Sequence, residues 1–361
     1  MRNIRVNLKE RSYNIRIGRG ILSSLGIYLK RLHIGRDCYI ITNARLKKKY
    51  SKSLDHPLTH SSFSLRYRLI PDSEKSKSLK SAYAILKDLA VFDKKKNIFI
   101  LSFGGGVIGD LSGFVASIYR RGIPYVQIPT TLLAQVDSSI GGKTAVDMSA
   151  AKNLVGAIYQ PKGVITDTSL LKTLSQRQIR SGLAEIIKYA VIKDSLLFDY
   201  LEKNNNSLLS LKSPGLEFVI GRCVKIKAGI IEKDEFEKKG IRTILNFGHT
   251  IGHAIETAGG YSRYNHGEAI SLGMLVAMDI SQMLGLTCKS TVSKIEALIQ
   301  KIGLPYRIEK LKANAIINAH YHDKKFQGSK NRFVLVKDIG KVMVVENVPL
   351  PVIRKAIKNR F

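Results

Sequence analysis

Residues 97–117 have the sequence NIFILSFGGGVIGDLSGFVAS, and this stretch decides the fold of the chain. An apolar run ends in three consecutive glycines, Gly104 to Gly106, and a helical pattern follows them. Glycines at a turn from a strand to a helix let backbone N–H groups approach a pyrophosphate, and the helix N-terminus adds a favourable partial positive charge. Because the spacing differs from the GxGxxG fingerprint, a simple tight turn stays open as the alternative. We predict a nucleotide-binding α/β domain around this turn.

Short apolar runs and helical patterns alternate along the chain up to about residue 178. We predict helices at residues 76–91 and after Val107, and strands at residues 38–42, 63–70, 97–103, 125–128 and 164–166. This alternation is typical of βαβ units on a mainly parallel sheet. Thr130 and Thr131 follow one of the strands, at the carboxyl end where open α/β sheets bind ligands. We therefore expect residues 1–178 to form an α/β, Rossmann-like nucleotide-binding domain.

The second half of the chain has a different pattern. Long amphipathic stretches predict helices at residues 182–193, 216–232, 248–258, 268–284 and 291–302. One late apolar run, residues 333–336, predicts a strand that returns near Ile339 and Gly340. Residues 204–207 and 213–215 are predicted to be loops. We expect residues 179–361 to form a second, mostly α-helical domain.

The composition has a strongly basic balance, since 59 Lys and Arg against 28 Asp and Glu give a net charge of +31. Such a charge suggests nucleic acid, an anionic membrane or a phosphorylated metabolite as the partner. The basic residues are dispersed and the chain has no tryptophan, which argues against specific nucleic-acid binding. No apolar window reaches the length of a membrane span, and the N-terminus lacks the apolar core of a signal peptide. We expect a cytoplasmic protein that binds neither a membrane nor a specific nucleic acid.

The three cysteines, Cys38, Cys223 and Cys288, lie far apart and form no CxxC pair. This spacing argues against a disulfide framework and against a thiolate zinc site. We expect all three to be buried as small apolar residues in a reducing compartment.

A Gly-Gly-Lys-Thr tetrad at residues 141–144 is similar to part of a P-loop. The glycine that a P-loop requires earlier is replaced by Asp137, so a nucleotide triphosphatase is not indicated. Asp137, Lys143, Lys152 and Asn153 are side chains suited to a hydroxylated, anionic ligand. Solvated polar loops are the alternative interpretation.

Three histidines lie within eighteen residues, at His249, His253 and His266. His249 and His253 are four residues apart, so on a helix they share a face and could bind one metal ion. A threonine follows the first histidine where a zinc protease has its glutamate base. Two histidines with Glu185, which lies in an apolar stretch three residues before Lys188, would form a catalytic zinc site with an open position. Histidines satisfied within a core or at a helix cap are the alternative.

Together these motifs resemble the 3-dehydroquinate synthase family of sugar-phosphate cyclases. The matching stretches span about residues 70 to 340 in family order and include PDSEKSKS, GGGVIGDLSGF, YRRGIPYVQIPTTLLAQVDSSIGGKTAVD, AKNLVGAIYQP, SGLAEIIKYAVI, NFGHTIGHAIE and HGEAISLGM. The resemblance implies conversion of 3-deoxy-D-arabino-heptulosonate 7-phosphate to 3-dehydroquinate and phosphate in the shikimate pathway. It implies four stages: oxidation by NAD, elimination of phosphate, reduction and intramolecular aldol closure. A sister cyclase that uses another sugar phosphate and a metal-dependent polyol dehydrogenase are the alternatives.

The resemblance also implies which positions bind the cofactors and the substrate. Zinc or cobalt would be held by Glu185, His249 and His266, so that His253 would contact the substrate and not the metal. NAD would be bound by Asp72, Glu74, Lys75, Lys77, Gly106, Val107, Ile108, Gly109, Asp110, Thr130, Thr131, Lys143, Lys152, Leu170, Leu171, Lys172 and Thr173. The sugar acid phosphate would meet Asp137, Lys152, Asn153, Lys188, Lys227, Glu237, Arg242, Asn246 and His253, with Arg121 and Lys324 beside them.

The chain departs from the family pattern at three positions near the expected NAD site. Ser73 and Ser76 replace Gly and Tyr, and Asp147 replaces Asn. We expect these changes to affect cofactor affinity more than chemistry. Residues 1–178 would bind NAD, residues 179–361 would carry the metal and substrate groups, and the protein would form a homodimer, as family members commonly do.

Overall fold

The computed structural model describes residues 1–94, 97–148, 151–211, 214–327 and 331–361. The chain divides into two compact units. The first unit contains Met1–Thr173 together with Lys227–Phe236, and the second contains Leu174–Ile226 and Glu237–Phe361. A segment from the middle of the chain therefore belongs with the N-terminal unit.

The first unit alternates strands and helices as its sequence pattern predicts. In chain order these are β1 (Arg2–Val6), β2 (Tyr13–Gly18), α1 (Leu25–Arg31), β3 (Asp37–Thr42), α2 (Ala44–Thr59), β4 (Ser64–Leu69), α3 (Leu79–Phe92), β5 (Ile98–Gly104), α4 (Gly106–Ile118), β6 (Tyr125–Pro129), β7 (Lys143–Val146), β8 (Val155–Ile158) and β9 (Gly163–Asp167). Seven strands form one sheet in the order β1-β2-β9-β6-β5-β3-β4. All neighbours in this sheet are parallel except β1 and β2. Strands β7 and β8 form a separate antiparallel pair.

The large sheet is buried on both faces, which explains why its central strands are continuous apolar runs. In β3, Cys38 and Ile40 face one apolar cluster, which includes Leu29 of α1 together with α2 residues. Tyr39 and Ile41 point to the opposite cluster, which α3 and α4 complete. The predicted α/β fold of this half is confirmed.

The second unit is mostly helical, as predicted. It contains α5 (Gln176–Lys193), α6 (Ser195–Leu209), the first part of α7 (Pro214–Lys233), α8 (His249–Ala258), α9 (His266–Met283), α10 (Lys289–Ile302), α11 (Ala313–Gln327), β10 (Arg332–Asp338), β11 (Lys341–Glu346) and α12 (Leu350–Lys358). Strands β10 and β11 form an antiparallel hairpin around Ile339 and Gly340, the predicted strand and its return. Helices α5 and α9 are buried on nearly every side, so their side chains define the centre of this unit. Within the described part of the chain, no helix has both the length and the apolar character needed to cross a bilayer.

The predicted loop at residues 204–207 is wrong, because this segment lies inside α6. Leu201 and Leu208 are buried on either side of it and anchor the helix, while Asn204 departs from helical geometry with φ −121° and ψ 15°. The predicted loop at residues 213–215 is wrong in its second part, since α7 begins at Pro214, and Ser213 lies outside the described residues. The polar composition of these segments hid their helical structure.

None of the three cysteines forms a disulfide, and only two of them are buried. Cys38 and Cys223 are buried, whereas Cys288 is exposed at the start of α10, so the prediction is wrong for Cys288. Hydrogen bonds with Ser290 and Thr291 lower the pKa of the Cys288 thiol to about 7. The polar start of a surface helix leaves this sulfur in contact with solvent.

Candidate cofactor turn and metal centre

The glycine-rich turn joins β5 directly to α4 and brings backbone close to two neighbouring segments. A Cβ atom on Gly104 would lie 2.6 Å from the Ile108 side chain, and one on Gly105 would lie 3.1 Å from Thr131. The N–H of Thr130, which follows β6, donates to the carbonyl of Gly104 at 2.9 Å. Among the described residues, no side chain caps the N-terminus of α4. The turn thus presents helix N–H groups at the carboxyl edge of the sheet, where a pyrophosphate would fit.

A buried lysine ties three predicted NAD- or substrate-binding segments together. The Nζ of Lys77 donates to Asp110 Oδ2 at 2.5 Å and to the side-chain oxygen of Asn153. Burial disfavours the Lys77 ammonium, but the charge of Asp110 and its hydrogen bond outweigh this effect and raise the pKa of Lys77. Lys77 of the 71–78 segment therefore joins helix α4, through Asp110, to the β7–β8 connection, through Asn153.

Two of the three departures from the family pattern keep a local hydrogen-bonding role. Asp147 Oδ1 accepts a hydrogen bond from the Asn153 N–H at 2.8 Å, which an asparagine oxygen could also do. Ser73 Oγ accepts from the N–H of Lys75 at 3.3 Å. Ser76 is buried. The substitutions therefore leave this part of the backbone with the polar contacts that hold it.

The other predicted residues of the first unit fall into different environments. Lys227 donates to the carbonyl of Asp137 at 2.8 Å and to its Oδ1 at 2.9 Å. Lys152 lies 3.8 Å from Glu74 in a partly exposed pair. The side chains of Leu170 and Leu171 are buried, so only the backbone of their turn could meet a cofactor. Exposed or partly exposed positions are found for Asp72, Lys75, Gly106, Val107, Arg121, Thr131, Lys143, Lys172 and Thr173.

In the second unit, three helices bring Glu185, His249 and His266 together. Their potential ligand atoms all lie within 4.8 Å of one another, the one such group of three or more among the described residues. Glu185 Oε1 is 3.6 Å from His249 Nε2 and 3.2 Å from His266 Nε2. Two imidazole nitrogens and one carboxylate oxygen are the donor set of many catalytic zinc sites. The chemistry and spacing of these side chains fit a zinc or cobalt ion.

Glycines allow the three helices to approach each other closely at this centre. A Cβ atom on Gly273 of α9 would lie 2.0 Å from the carbonyl oxygen of Gly248, next to His249. A Cβ atom on Gly267 would lie 2.3 Å from the backbone of Ser181 in α5. The backbone contacts at these two glycines place the α8 and α5 side chains beside His266.

The protonation of the two histidines differs because their neighbours differ. Burial, together with the charge of Lys188, lowers the pKa of His249 to about 3, so this ring is neutral and able to bind a metal. Burial also disfavours a charged His266, but hydrogen bonds and the charges of Glu185 and Glu256 raise its pKa to about 10. A metal ion on His266 would displace that proton.

The remaining polar residues of the second unit surround this centre or lead to it. The Nζ of Lys188, which is buried, contacts Glu185 Oε2. Arg242 is buried and its Nε lies 3.3 Å from Glu237 Oε1, in the short turn that ends at the exposed Asn246 and precedes α8. Lys324 lies outside the residues whose side chains are described.

One carboxylate near this centre was missed by the sequence analysis. Glu256 Oε2 lies 2.8 Å from His253 Nδ1, and Glu256 Oε1 lies 3.7 Å from His266 Nδ1. Burial opposes ionisation of Glu256, but the hydrogen bond from His253 and the charge of the nearby His266 lower its pKa well below the usual range. The sequence did contain a signal for this contact, because Glu256 lies three residues after His253 and residues at that spacing are neighbours on a helix.

Comparisons with known proteins identify the family of this chain. Residues 67–181 match the family model for the 3-dehydroquinate synthase N-terminal domain, and residues 182–326 match the C-terminal model. A 3-dehydroquinate synthase of Desulforamulus reducens is 44% identical over 352 residues, which cover 96% of this chain and 97% of that protein.

Two solved structures share the fold over nearly the whole chain. A 2-epi-5-epi-valiolone synthase from Streptomyces hygroscopicus, with NAD+ and Zn2+ bound, has a TM-score of 0.89 and 28% identity, with 98% of each chain covered. A 2-deoxy-scyllo-inosose synthase complexed with carbaglucose-6-phosphate, NAD+ and Co2+ has a TM-score of 0.90 and 28% identity, with 100% of each chain covered. The predicted family is confirmed, and the chain belongs to the 3-dehydroquinate synthase family.

Proposed function

We propose that this protein converts 3-deoxy-D-arabino-heptulosonate 7-phosphate to 3-dehydroquinate and phosphate, as an NAD- and divalent-metal-dependent lyase of the shikimate pathway. The observation that carries the proposal is the continuous family match over residues 67–326, which contains the Glu185–His249–His266 centre. Identity to the named synthase is 44%, against 28% for the two sister cyclases. This difference favours the dehydroquinate reaction over the sister reactions.

Glu185, His249 and His266 would hold the metal ion. A bound zinc or cobalt ion supplies Lewis acidity, which stabilises the negative charge on an alcohol oxygen as it is oxidised. Lys188 places a buried ammonium group against the carboxylate of Glu185. In this position it also offers a donor to an anionic group of the substrate.

The glycine-rich turn and the Lys77–Asp110 pair would bind NAD. Bound NAD would supply a hydride acceptor that is regenerated within the reaction and not consumed. Helix α4 would direct its first N–H groups to the pyrophosphate. The Lys77 ammonium holds Asp110 and Asn153 in place around that turn.

The substrate carries a carboxylate and a phosphate, and each unit offers groups that suit them. In the first unit we assign substrate contacts to Asp137, Lys152, Asn153 and Lys227. In the second unit we assign them to Lys188, Glu237, Arg242, Asn246 and His253. A guanidinium such as that of Arg242 binds carboxylate or phosphate through two parallel hydrogen bonds, which fixes orientation as well as charge.

The test is incubation of the zinc- or cobalt-loaded protein with NAD and 3-deoxy-D-arabino-heptulosonate 7-phosphate. We expect release of phosphate and formation of 3-dehydroquinate without net NADH. Turnover of sedoheptulose 7-phosphate in place of this substrate would reassign the protein to a sister cyclase. Accumulation of NADH would point to a polyol dehydrogenase.

We also propose that the protein is a cytoplasmic homodimer, as the family resemblance suggests. Sedimentation equilibrium of the NAD-loaded protein measures the assembly directly. A mass of one chain, 40.2 kDa, at micromolar concentration would contradict the dimer.

A further inference from the structure

Glu256 occupies an unusual position for a buried carboxylate. It lies on α8, and its two oxygens face different imidazoles, Oε2 toward His253 and Oε1 toward His266. The Glu256 side chain is only 9% exposed, whereas that of His253 is 52% exposed. One carboxylate thus connects a half-exposed ring with a ring of the metal centre.

Two other buried carboxylates of this unit, Asp194 and Asp279, have guanidinium partners, and Glu185 has Lys188. Asp194 pairs with Arg222 at 2.6 Å, and Asp279 pairs with Arg360 at 2.5 Å. Within the described residues, the side-chain partners of Glu256 are the two histidines. Burial of a carboxylate is costly unless it is paired and hydrogen-bonded. Glu256 therefore depends on the imidazoles, and their orientation depends on it.

The contacts of Glu256 select one ring nitrogen on each histidine. A carboxylate only accepts hydrogen bonds, so Nδ1 of His253, which lies 2.8 Å from Oε2, carries hydrogen. When Nε2 of His266 binds a metal ion, the hydrogen of that neutral ring is on Nδ1, which faces Oε1 at 3.7 Å. His249 follows the same rule, because its Nδ1 lies 3.1 Å from the carbonyl oxygen of Phe247. The Nε2 atoms of all three rings are left for other partners. On His249 and His266 these are the atoms that face Glu185.

We propose that Glu256 is a positioning residue that fixes the ring orientation and the tautomer of both His266 and His253. On His266, Glu256 determines which ring nitrogen can bind the metal. On His253, it leaves Nε2 available to the substrate. This inference rests on the metal and substrate assignments made above. What is new is that a single carboxylate orients both the metal ligand His266 and the substrate-contacting His253.

The variant Glu256→Gln tests the proposal with little change of volume. An amide has one oxygen and one NH2 group, so it can accept from one histidine but must donate to the other. That imidazole changes its tautomer, and its Nε2 then carries the hydrogen. We expect ¹⁵N NMR of the histidine side chains to show this change, and zinc affinity or kcat/KM to fall about 10- to 100-fold.

Two further variants separate positioning from simple loss of stability. Glu256→Asp keeps the charge and should restore the Nδ1–H tautomer on at least one ring, with intermediate zinc affinity. Glu296→Gln makes the same chemical change at a carboxylate that pairs with Arg360 at 3.0 Å, and it should leave histidine tautomers and zinc affinity unchanged. Urea unfolding of each variant reports any general destabilisation.

The outcome distinguishes this inference from the proposed function. Glu256→Gln with wild-type tautomers and zinc affinity within twofold of the wild type would overturn the positioning role. If His266→Ala then abolishes zinc binding, the ligand assignment stands and only the role of Glu256 falls. Retention of zinc by His266→Ala would overturn the ligand assignment itself.

Discussion

The two units arrange their candidate site residues in different ways. In the first unit, the residues lie on loops and turns at the carboxyl edge of a parallel sheet, for example the turn from β5 to α4. In the second unit, the candidate metal ligands project from three packed helices, and Glu185 and His266 are 81 residues apart in sequence. A sheet edge collects ligand-binding loops whatever their sequence, whereas a helical centre exists only where the helices pack correctly. The first arrangement is a property of topology, and the second depends on close packing.

The largest effect is expected from removing a side chain of the helical centre. His249→Ala deletes one of the three proposed ligands, and since the loss of a supporting contact alone costs 10- to 100-fold, we expect activity to fall by more than about 100-fold together with zinc content. Metal analysis after dialysis and the phosphate-release assay measure both quantities. NAD affinity, measured by equilibrium dialysis, should stay near the wild-type value.

Full zinc content and turnover in His249→Ala would show that the ligand assignment is wrong. Thr250→Ser provides a control on the same helix, because Thr250 is outside the proposed ligand set and its hydroxyl contacts the Arg332 carbonyl at 3.4 Å. This control should keep zinc and activity. The comparison between the two variants separates the loss of a metal ligand from a general disturbance of helix α8.

The next largest effect concerns the Lys77–Asp110 pair at the candidate NAD site of the first unit. Lys77→Met leaves Asp110 without its ammonium partner in a largely buried position, which we expect to lower the free energy of unfolding by about 3 kcal/mol. NAD affinity should fall because the 71–78 segment and the Asn153 turn lose their common contact. Urea unfolding and NAD titration measure these changes, and zinc content should not change.

Lys80→Met is the matched control, since Lys80 is exposed on α3 and three residues away. It should unfold within about 0.5 kcal/mol of the wild type. Equal stability of Lys77→Met and Lys80→Met would contradict the role of the buried pair. A loss of zinc in Lys77→Met would contradict the separation of the two sites.

The sequence predicted the fold of both units well because the patterns that specify them are local. The glycine turn and the continuous apolar strands can each be recognised in a short stretch of sequence. The family resemblance indicated Glu185, His249 and His266. Spacing alone favoured a shared site for His249 and His253, whereas Nδ1 of His253 lies 2.8 Å from Glu256 in the structure. The spacing of His253 and Glu256 on one helix was visible in the sequence, but the approach of Glu256 to His266 joins two helices and is not encoded in either segment, so Glu256 was missed.

The close helix contact near the metal centre leads to the third prediction. In Gly273→Ala, the added methyl group would lie 2.0 Å from the Gly248 carbonyl and push α8 away from α9. We expect a loss of about 2 kcal/mol in stability and weaker zinc binding, because His249 and His266 move apart. Gly229→Ala is the control, since nothing lies within 4 Å of its added Cβ on α7, and it should be neutral or stabilising. Wild-type zinc affinity in Gly273→Ala would mean that the centre tolerates looser packing than we infer.

The smallest effect concerns a hydrogen-bonded carboxylate of the first unit that lies outside both sites. Asp88 of α3 accepts hydrogen bonds from the Tyr39 hydroxyl and from Arg66, each at 2.6 Å. Burial opposes ionisation, but these donors outweigh it and lower the pKa of Asp88 below its ordinary 3.8. A carboxylate whose pKa is lowered by folding stabilises the protein above its unfolded pKa, and this contribution is lost as pH falls through the folded value.

Asp88→Asn should therefore cost about 1 kcal/mol at pH 7, where the lost hydrogen bonds are made to a charged group. The difference from the wild type should stay constant between pH 5 and 8 and shrink below about pH 4, because the wild-type carboxylate is then protonated as well. Urea unfolding across this pH range gives the curve, with the exposed Asp199→Asn as a control that should show no such trend. If the difference in unfolding free energy between Asp88→Asn and the wild type grew toward low pH, folding would raise the pKa of Asp88 and not lower it. An unchanged zinc content throughout would show that the first unit can be weakened without disturbing the helical centre.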